Sequence, residues 1–248
     1  MYTLILFLLW APQDAAEAYR QGVALLDASK TQEAIPLLEK AAKLAPRNAQ
    51  YWKALGVVFA SLDQLRDALD PLQKACSLNP SLLDACYYFG RNLYATDRYK
   101  DALAPLETAL KVDRVKGRAE AAIGQCYEAL GRGVEAEKRF RSALNRQDAA
   151  DRQVRLAFAH FLIRHARAPE AIPMLEPAQQ PESADARYML GLALSQTDRL
   201  AEAASALERA VALKPSDIAS RVLLAKVYRR LGRASDAARL ESANATVP

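Results

Sequence analysis

The sequence predicts an all-α fold of stacked helical hairpins, and two observations predict it. The first is an internal period. Gly22, Gly56, Gly90 and Gly124 fall 34 residues apart, as do Ala34, Ala68, Ala102 and Ala136, and again Ala41, Ala75, Ala109 and Ala143. A helical period of this length marks a repeat array, in which each unit covers its neighbour's apolar face. The second is composition. Of 248 residues, 51% are hydrophobic and 25% charged, with only 9 glycines and 12 prolines. That balance excludes disordered and collagen-like chains, and the wealth of Ala, Leu, Arg and Glu favours helix over sheet.

The elements follow in chain order. Leu4 to Trp10 form an unbroken apolar run. It is too short to span a bilayer as a helix. It has the character of the apolar region of a secretory signal, with Ala11 as a cleavage point. No Lys or Arg precedes it, and Leu9 stands where a small residue is usual. Residues 1–14 are therefore read as a short or truncated signal segment, the other reading being an apolar helix that caps the first repeat. Residues 15–248 form the array, with units near 15–48, 49–82, 83–116, 117–151, 152–183, 184–217 and 218–245.

Each unit divides into two helices. In the second unit Trp52, Leu55, Gly56 and Phe59 recur at spacings of three to four, which buries one helix face. Cys86, Phe89, Gly90 and Leu93 do the same in the third. A polar turn follows, as in Thr96-Asp97-Arg98 or Gly131-Arg132-Gly133. The second helix then carries Ala68, Leu72 and Ala75, or Ala102, Leu106 and Ala109. Pro46, Pro80 and Pro215 mark its end. Pro36, Pro71, Pro105 and Pro173 fall early in second helices. Two readings are open: a bend that tunes curvature, or a place in the first turn, whose donors lack partners anyway.

The fifth unit is the weakest, with Ala159 in place of Gly and Arg155 at the Trp position. Its spacing puts an insertion near Gln147 to Asp151 and a deletion near Gln179 to Glu182, either a hinge or harmless drift. In the last unit Glu241 and Asn244 replace apolar residues, which predicts a polar cap ending the array. Cys76, Cys86 and Cys126 show no tight pairing pattern and are expected as small, free packing residues.

The second unit carries Trp52, Leu55, Gly56, Phe59, Ala68, Leu72, Ala75 and Pro80 at fixed offsets. In these residues the chain resembles the tetratricopeptide repeat (TPR) family over nearly all its length after Asp14. The resemblance implies a right-handed superhelical solenoid of about seven hairpins, whose first helices line a concave groove. In such a groove Gln125, His160 and Tyr188 would face the ligand, as would Lys53. So would Tyr87, Arg91 and Tyr94, three and four residues apart on one helix face. Packing of the two tyrosines on adjacent helices is the competing reading. Lys226, Arg229 and Arg230 form a basic inner patch, or else a solvated terminal helix. Some family members clamp a terminal carboxylate with paired Lys and Asn. Here Val57 and Val23 stand where Asn is needed.

No catalytic, cofactor or metal site is expected. His160 and His165, the only histidines, are five apart and do not share a face at metal-ligand spacing. No Cys-x-x-Cys, phosphate-cradling loop or Gly-x-Ser-x-Gly motif occurs. The carboxylates Glu33, Glu39, Asp67 and Glu107 sit beside Lys and Arg as surface ion pairs. A net charge of +5 is ordinary solubility charge. The expected function is a non-enzymatic protein-interaction scaffold or adaptor, holding a peptide segment or helix in the groove. Its expected setting is a bacterial cell envelope, exported or periplasmic, otherwise the cytoplasm. The alternatives are a non-catalytic regulatory subunit of an enzyme and, less favoured, a nucleic-acid binder.

Overall fold

A computed structural model describes residues 3–82, 84–145, 152–176 and 182–245. Among them are fourteen α-helices and no strand. They divide into two compact units, Met1–Ala143 and Leu144–Pro248. In the first, α1 (Thr3–Asp27) pairs with α2 (Thr31–Leu44), α3 (Ala49–Ser61) with α4 (Leu65–Leu78), and α5 (Ala85–Ala95) with α6 (Tyr99–Ala109). A 3-10 turn, Asp113–Val115, leads into α7 (Lys116–Ala129), which packs on α8 (Gly133–Leu144) through Gly124 and Phe140. In the second, α9 (Arg152–Arg164) pairs with α10 (Ala168–Leu175), α11 (Ala184–Gln196) with α12 (Leu200–Leu213), and α13 (Ile218–Arg230) with α14 (Ala234–Ala245).

The periodic small residues are where the helices of a hairpin touch. Ala34, Ala68, Ala102, Ala136, Ala171, Ala203 and Ala237 are all fully buried. Sixteen residues after each close-packed glycine comes its partner, as with Gly56 and Leu72, or Gly124 and Phe140. A Cβ at Gly56, Gly90 or Gly191 would stand 2.5 Å from the Cγ of the facing leucine. These leucines are fully buried, each contributing about 1.5–3 kcal/mol.

The turn inside each hairpin has a common stop. Ser29, Asp63, Asp97, Ala166 and Asp198 take φ between 57° and 62°, and Gly131 and Gly232 take 74° and 76°. A left-handed residue reverses the chain just past the first helix, and only glycine adopts it without Cβ crowding. The second helices α2, α4 and α12 end two residues before Pro46, Pro80 and Pro215, as predicted.

Two expectations need correction. Pro36, Pro71, Pro105 and Pro173 lie inside their helices, at the sixth or seventh residue. First-turn tolerance does not account for them. Each leaves the carbonyl four residues earlier without its helical donor. Cys76 and Cys86 are not free: they form a disulfide with Cα atoms 4.6 Å apart, joining α4 of one repeat to α5 of the next. The bridge arises because the third unit places Cys86 where the second has Trp52, over the end of the preceding helix. Cys126 is free and buried, as expected.

The apolar run Leu4–Trp10 lies within the span of α1. No helix of the described residues is long and apolar enough to cross a membrane. The segment Gln147 to Asp151 and residues 179–181 lie outside the described residues. Glu182, which follows, ties the start of α11 to α12 through Arg187 at 3.0 Å and Arg209 at 2.6 Å. Of α14, Ala237 is buried while Ala234, Ser235, Ala238 and Arg239 are exposed.

Candidate functional site

Within each unit the odd-numbered helices are neighbours: α3, α5 and α7 in the first, α9, α11 and α13 in the second. Residues one period apart therefore face each other across adjacent first helices. Asp84 and Arg118, 34 residues apart, pair at 3.5 Å. Arg91 Nη1 donates to Gln125 Oε1 at 2.6 Å, again 34 residues apart. Near α1 the Tyr19 and Tyr51 rings stack at 4.7 Å, and Gln50 donates to the Tyr19 hydroxyl at 3.1 Å.

The structure brings part of the predicted cluster together. The Arg91 guanidinium lies over the Tyr94 ring at 5.7 Å and reaches Gln125. Tyr87 is a correction: it is buried, 8% exposed, in the core around Leu93, Leu106 and Ile123. Its ring is roofed by the Arg118 guanidinium at 5.2 Å, so packing accounts for it. Tyr94 packs on the edge of the same core and meets the Tyr99 ring at 5.3 Å. Lys53 is half-buried on α3.

In the second unit His160 is exposed on α9, Tyr188 half-buried on α11 and Lys226 exposed on α13. Two of the basic residues expected beside them are committed internally. Arg229 pairs with Glu241. Arg230 donates to the Ser195 carbonyl at 2.9 Å and to Asp198 at 2.6 Å. Arg233 is held by Asp236 at 2.8 Å and covers the Tyr228 ring at 4.1 Å. Burial, then a 2.7 Å hydrogen bond to Glu208, pushes the Tyr228 hydroxyl up to about 12. The patch is thus largely neutralised by its own unit.

Sequence reasoning missed one polar cluster. Glu120, 4% exposed on α7, accepts from Arg139 at 3.0 Å and from Ser142 at 3.2 Å on α8. Burial opposes the Arg139 charge most strongly, but the hydrogen bond and charge of Glu120 together with Tyr127 outweigh it and raise that guanidinium's pKa. The signal was a carboxylate at the position where Trp52 stands two units earlier. Glu107 reaches Arg139 at 3.5 Å, an inter-helix pair, while Glu33–Lys30 and Glu39–Lys43 are the surface pairs expected. Among the described residues no three His, Cys, Asp or Glu side chains converge to hold a metal.

The tetratricopeptide repeat family model matches residues 19–82 and 87–152, more than half of the chain. The chain belongs to the tetratricopeptide repeat family. Residues 164–240 also match the model of anaphase-promoting complex, cyclosome, subunit 3. A comparison with curated proteins finds no match. Among solved structures, the APC/C hetero-tetramer Cut9–Hcn1 aligns with a TM-score of 0.73 at 16% identity, covering 88% of this chain and 43% of that one. The TPR chain thus spans less than half the length of that relative. PilW, a type IV pilus biogenesis factor, aligns at 0.72 and 16% identity, covering 85% of this chain and 98% of that one. A tetratricopeptide repeat protein from Parabacteroides merdae aligns at 0.68 and 18% identity, covering 93% of each. At these identities the likeness shows the fold, an all-α TPR array. Membership in this family supports a role as a protein-interaction scaffold.

Proposed function

We propose that the TPR chain holds an extended segment or helix of a partner protein on the face formed by α3, α5 and α7 of its first unit. The observation that carries this reading is the pair of cross-repeat rungs, Asp84–Arg118 and Arg91–Gln125, which fix polar groups on a rigid helical surface. A preformed face spares the ordering cost that weakens flexible binders. Quantitative crosslinking pull-down tests it. An Arg91→Ala/Tyr94→Ala variant with native far-UV circular dichroism is expected to lose the partners that wild type captures. An unchanged partner set sinks the reading.

We further propose that the setting is a bacterial cell envelope. The apolar run Leu4–Trp10 supports export, and so does the Cys76–Cys86 disulfide, since such bridges persist in oxidising compartments. The fold shared with PilW is in keeping with it. Intact mass of the protein from fractionated cells checks this: export predicts loss of the first residues and an oxidised pair. An intact Met1 with three free thiols in the cytosolic fraction contradicts it. The paired state of Arg229, Arg230 and Arg233 weighs against nucleic acid as the ligand.

A further inference from the structure

The two rungs between α5 and α7 differ in charge. At one end Asp84 balances Arg118, with side chains 18% and 24% exposed respectively. At the other, Arg91 has among the described residues the neutral amide of Gln125 as its hydrogen-bond partner. Several other arginines do meet a carboxylate, Arg98 with Asp101, Arg132 with Glu135 and Arg199 with Glu202, each three residues on. Arg91 is half-buried, where a guanidinium is less well hydrated than in open water and an anion gains more from it. One of its five N–H donors is used on Gln125, and its plane lies over Tyr94. The remaining edge suits a bidentate carboxylate.

The surroundings select the kind of anion. Arg91 lies seven residues beyond Asp84 on α5, about 10 Å along the helix, so the balanced and unbalanced rungs are about three residues of extended chain apart. Between Arg118 and Gln125 stands Ala121, one period after Tyr87, an apolar residue that adds no charge between the rungs. A polyanionic backbone would run onto Asp84 at the far rung. A segment with one acidic side chain over Arg91 and a neutral residue near Asp84 would not.

We infer that Arg91, steadied by Gln125 and Tyr94, receives an Asp or Glu side chain of an extended protein segment lying across α5 and α7. This rests on the reading of the odd-helix face as the binding face. It differs from the terminal-carboxylate clamp, whose asparagines are replaced by Val23 and Val57.

Selection of ten-residue peptides from a displayed random library on the full chain tests it, using wild type, Arg91→Gln and Arg91→Lys. Wild type is expected to enrich peptides with Asp or Glu at one fixed position. Arg91→Gln is expected to abolish that preference while keeping the others, and to weaken the best acidic peptide by about tenfold or more. Replacing the peptide's acid by its amide should cost as much, and should cost nothing further in Arg91→Gln. Arg91→Lys should fall between, since an ammonium keeps the charge and loses the fork. Enriched peptides without an acid, or an acid preference that survives in Arg91→Gln, overturn the inference and leave the face intact. No enrichment by wild type overturns the face itself. An oligothymidylate probe binding with the same dependence on Arg91 overturns the assignment to a protein segment.

Discussion

Replacing Gly56 by alanine tests the packing rule on which every repeat depends. A methyl group there would stand 2.5 Å from Leu72 Cγ, 2.8 Å from Cδ2 and 3.1 Å from the Leu72 nitrogen. Leu72 is fully buried. Overpacking of this kind costs about 1–3 kcal/mol. Alanine returns about 1 kcal/mol of helix propensity, which leaves a net loss of about 0–2 kcal/mol. At Gly22 the nearest atoms are Leu38 Cδ2 and Cγ at 2.9 and 3.0 Å, so the same change there should cost less. Urea unfolding followed by far-UV circular dichroism reads both. Leu72→Ala alone should cost about 2–5 kcal/mol. Combined with Gly56→Ala it should fall short of additivity by about 0.5–3 kcal/mol, because the new methyl enters the space vacated. A Gly56→Ala protein that gains about 1 kcal/mol, with no coupling to Leu72→Ala, would refute the close-approach argument.

Three further outcomes are expected. Burial pushes the Cys126 thiol up to about 12, so native protein at neutral pH should resist alkylation; unfolding without reductant should release one thiol and with reductant three, counted by intact mass. Gly131→Ala, at φ 74° with nothing within 4 Å of the new Cβ, should cost about 1 kcal/mol through backbone strain alone, seen as a lower urea midpoint. Asp217 caps α13 by accepting from the Ser220 hydroxyl and its backbone N–H at 3.1 Å, and the hydroxyl bond first, then the backbone bond, hold its carboxyl below the usual range against a burial penalty. Its contribution is then present above the unfolded value near ~4 and lost as pH falls through the lower folded value, so the deficit of Asp217→Ala, about 1 kcal/mol at neutral pH, should shrink in acid.

The repeat was legible because close helix approach demands small residues at fixed intervals. Gly56, Ala68 and Ala75 carry that demand in the sequence itself, and helix boundaries followed from Pro46, Pro80 and Pro215. The left-handed stop was harder to read, since serine, aspartate and alanine also fill it and only Gly131 and Gly232 announce it. The disulfide was hidden because Cys76 and Cys86 are ten residues apart on different helices, and only the hairpin junction closes that gap. Of the candidate site, the mutual bond of Arg91 and Gln125 follows from their 34-residue spacing. The burial of Tyr87 was not, because a tyrosine fits core and surface equally well. The neutralised patch on α13 was also obscure, since Glu241, Asp198 and Asp236 come from other helices and turns.

Site-specific photo-crosslinking in living cells tests the central claim most directly. A photoreactive residue is placed at Gln50 of α3 or Ala129 of α7, both exposed on odd-numbered helices, and at Lys100 of α6 or Lys138 of α8, both exposed on even-numbered ones. The account predicts that a partner protein is captured from the first pair and that an added acidic peptide selected on the full chain competes with it. Capture from Lys100 or Lys138 alone, indifferent to that peptide, would contradict it.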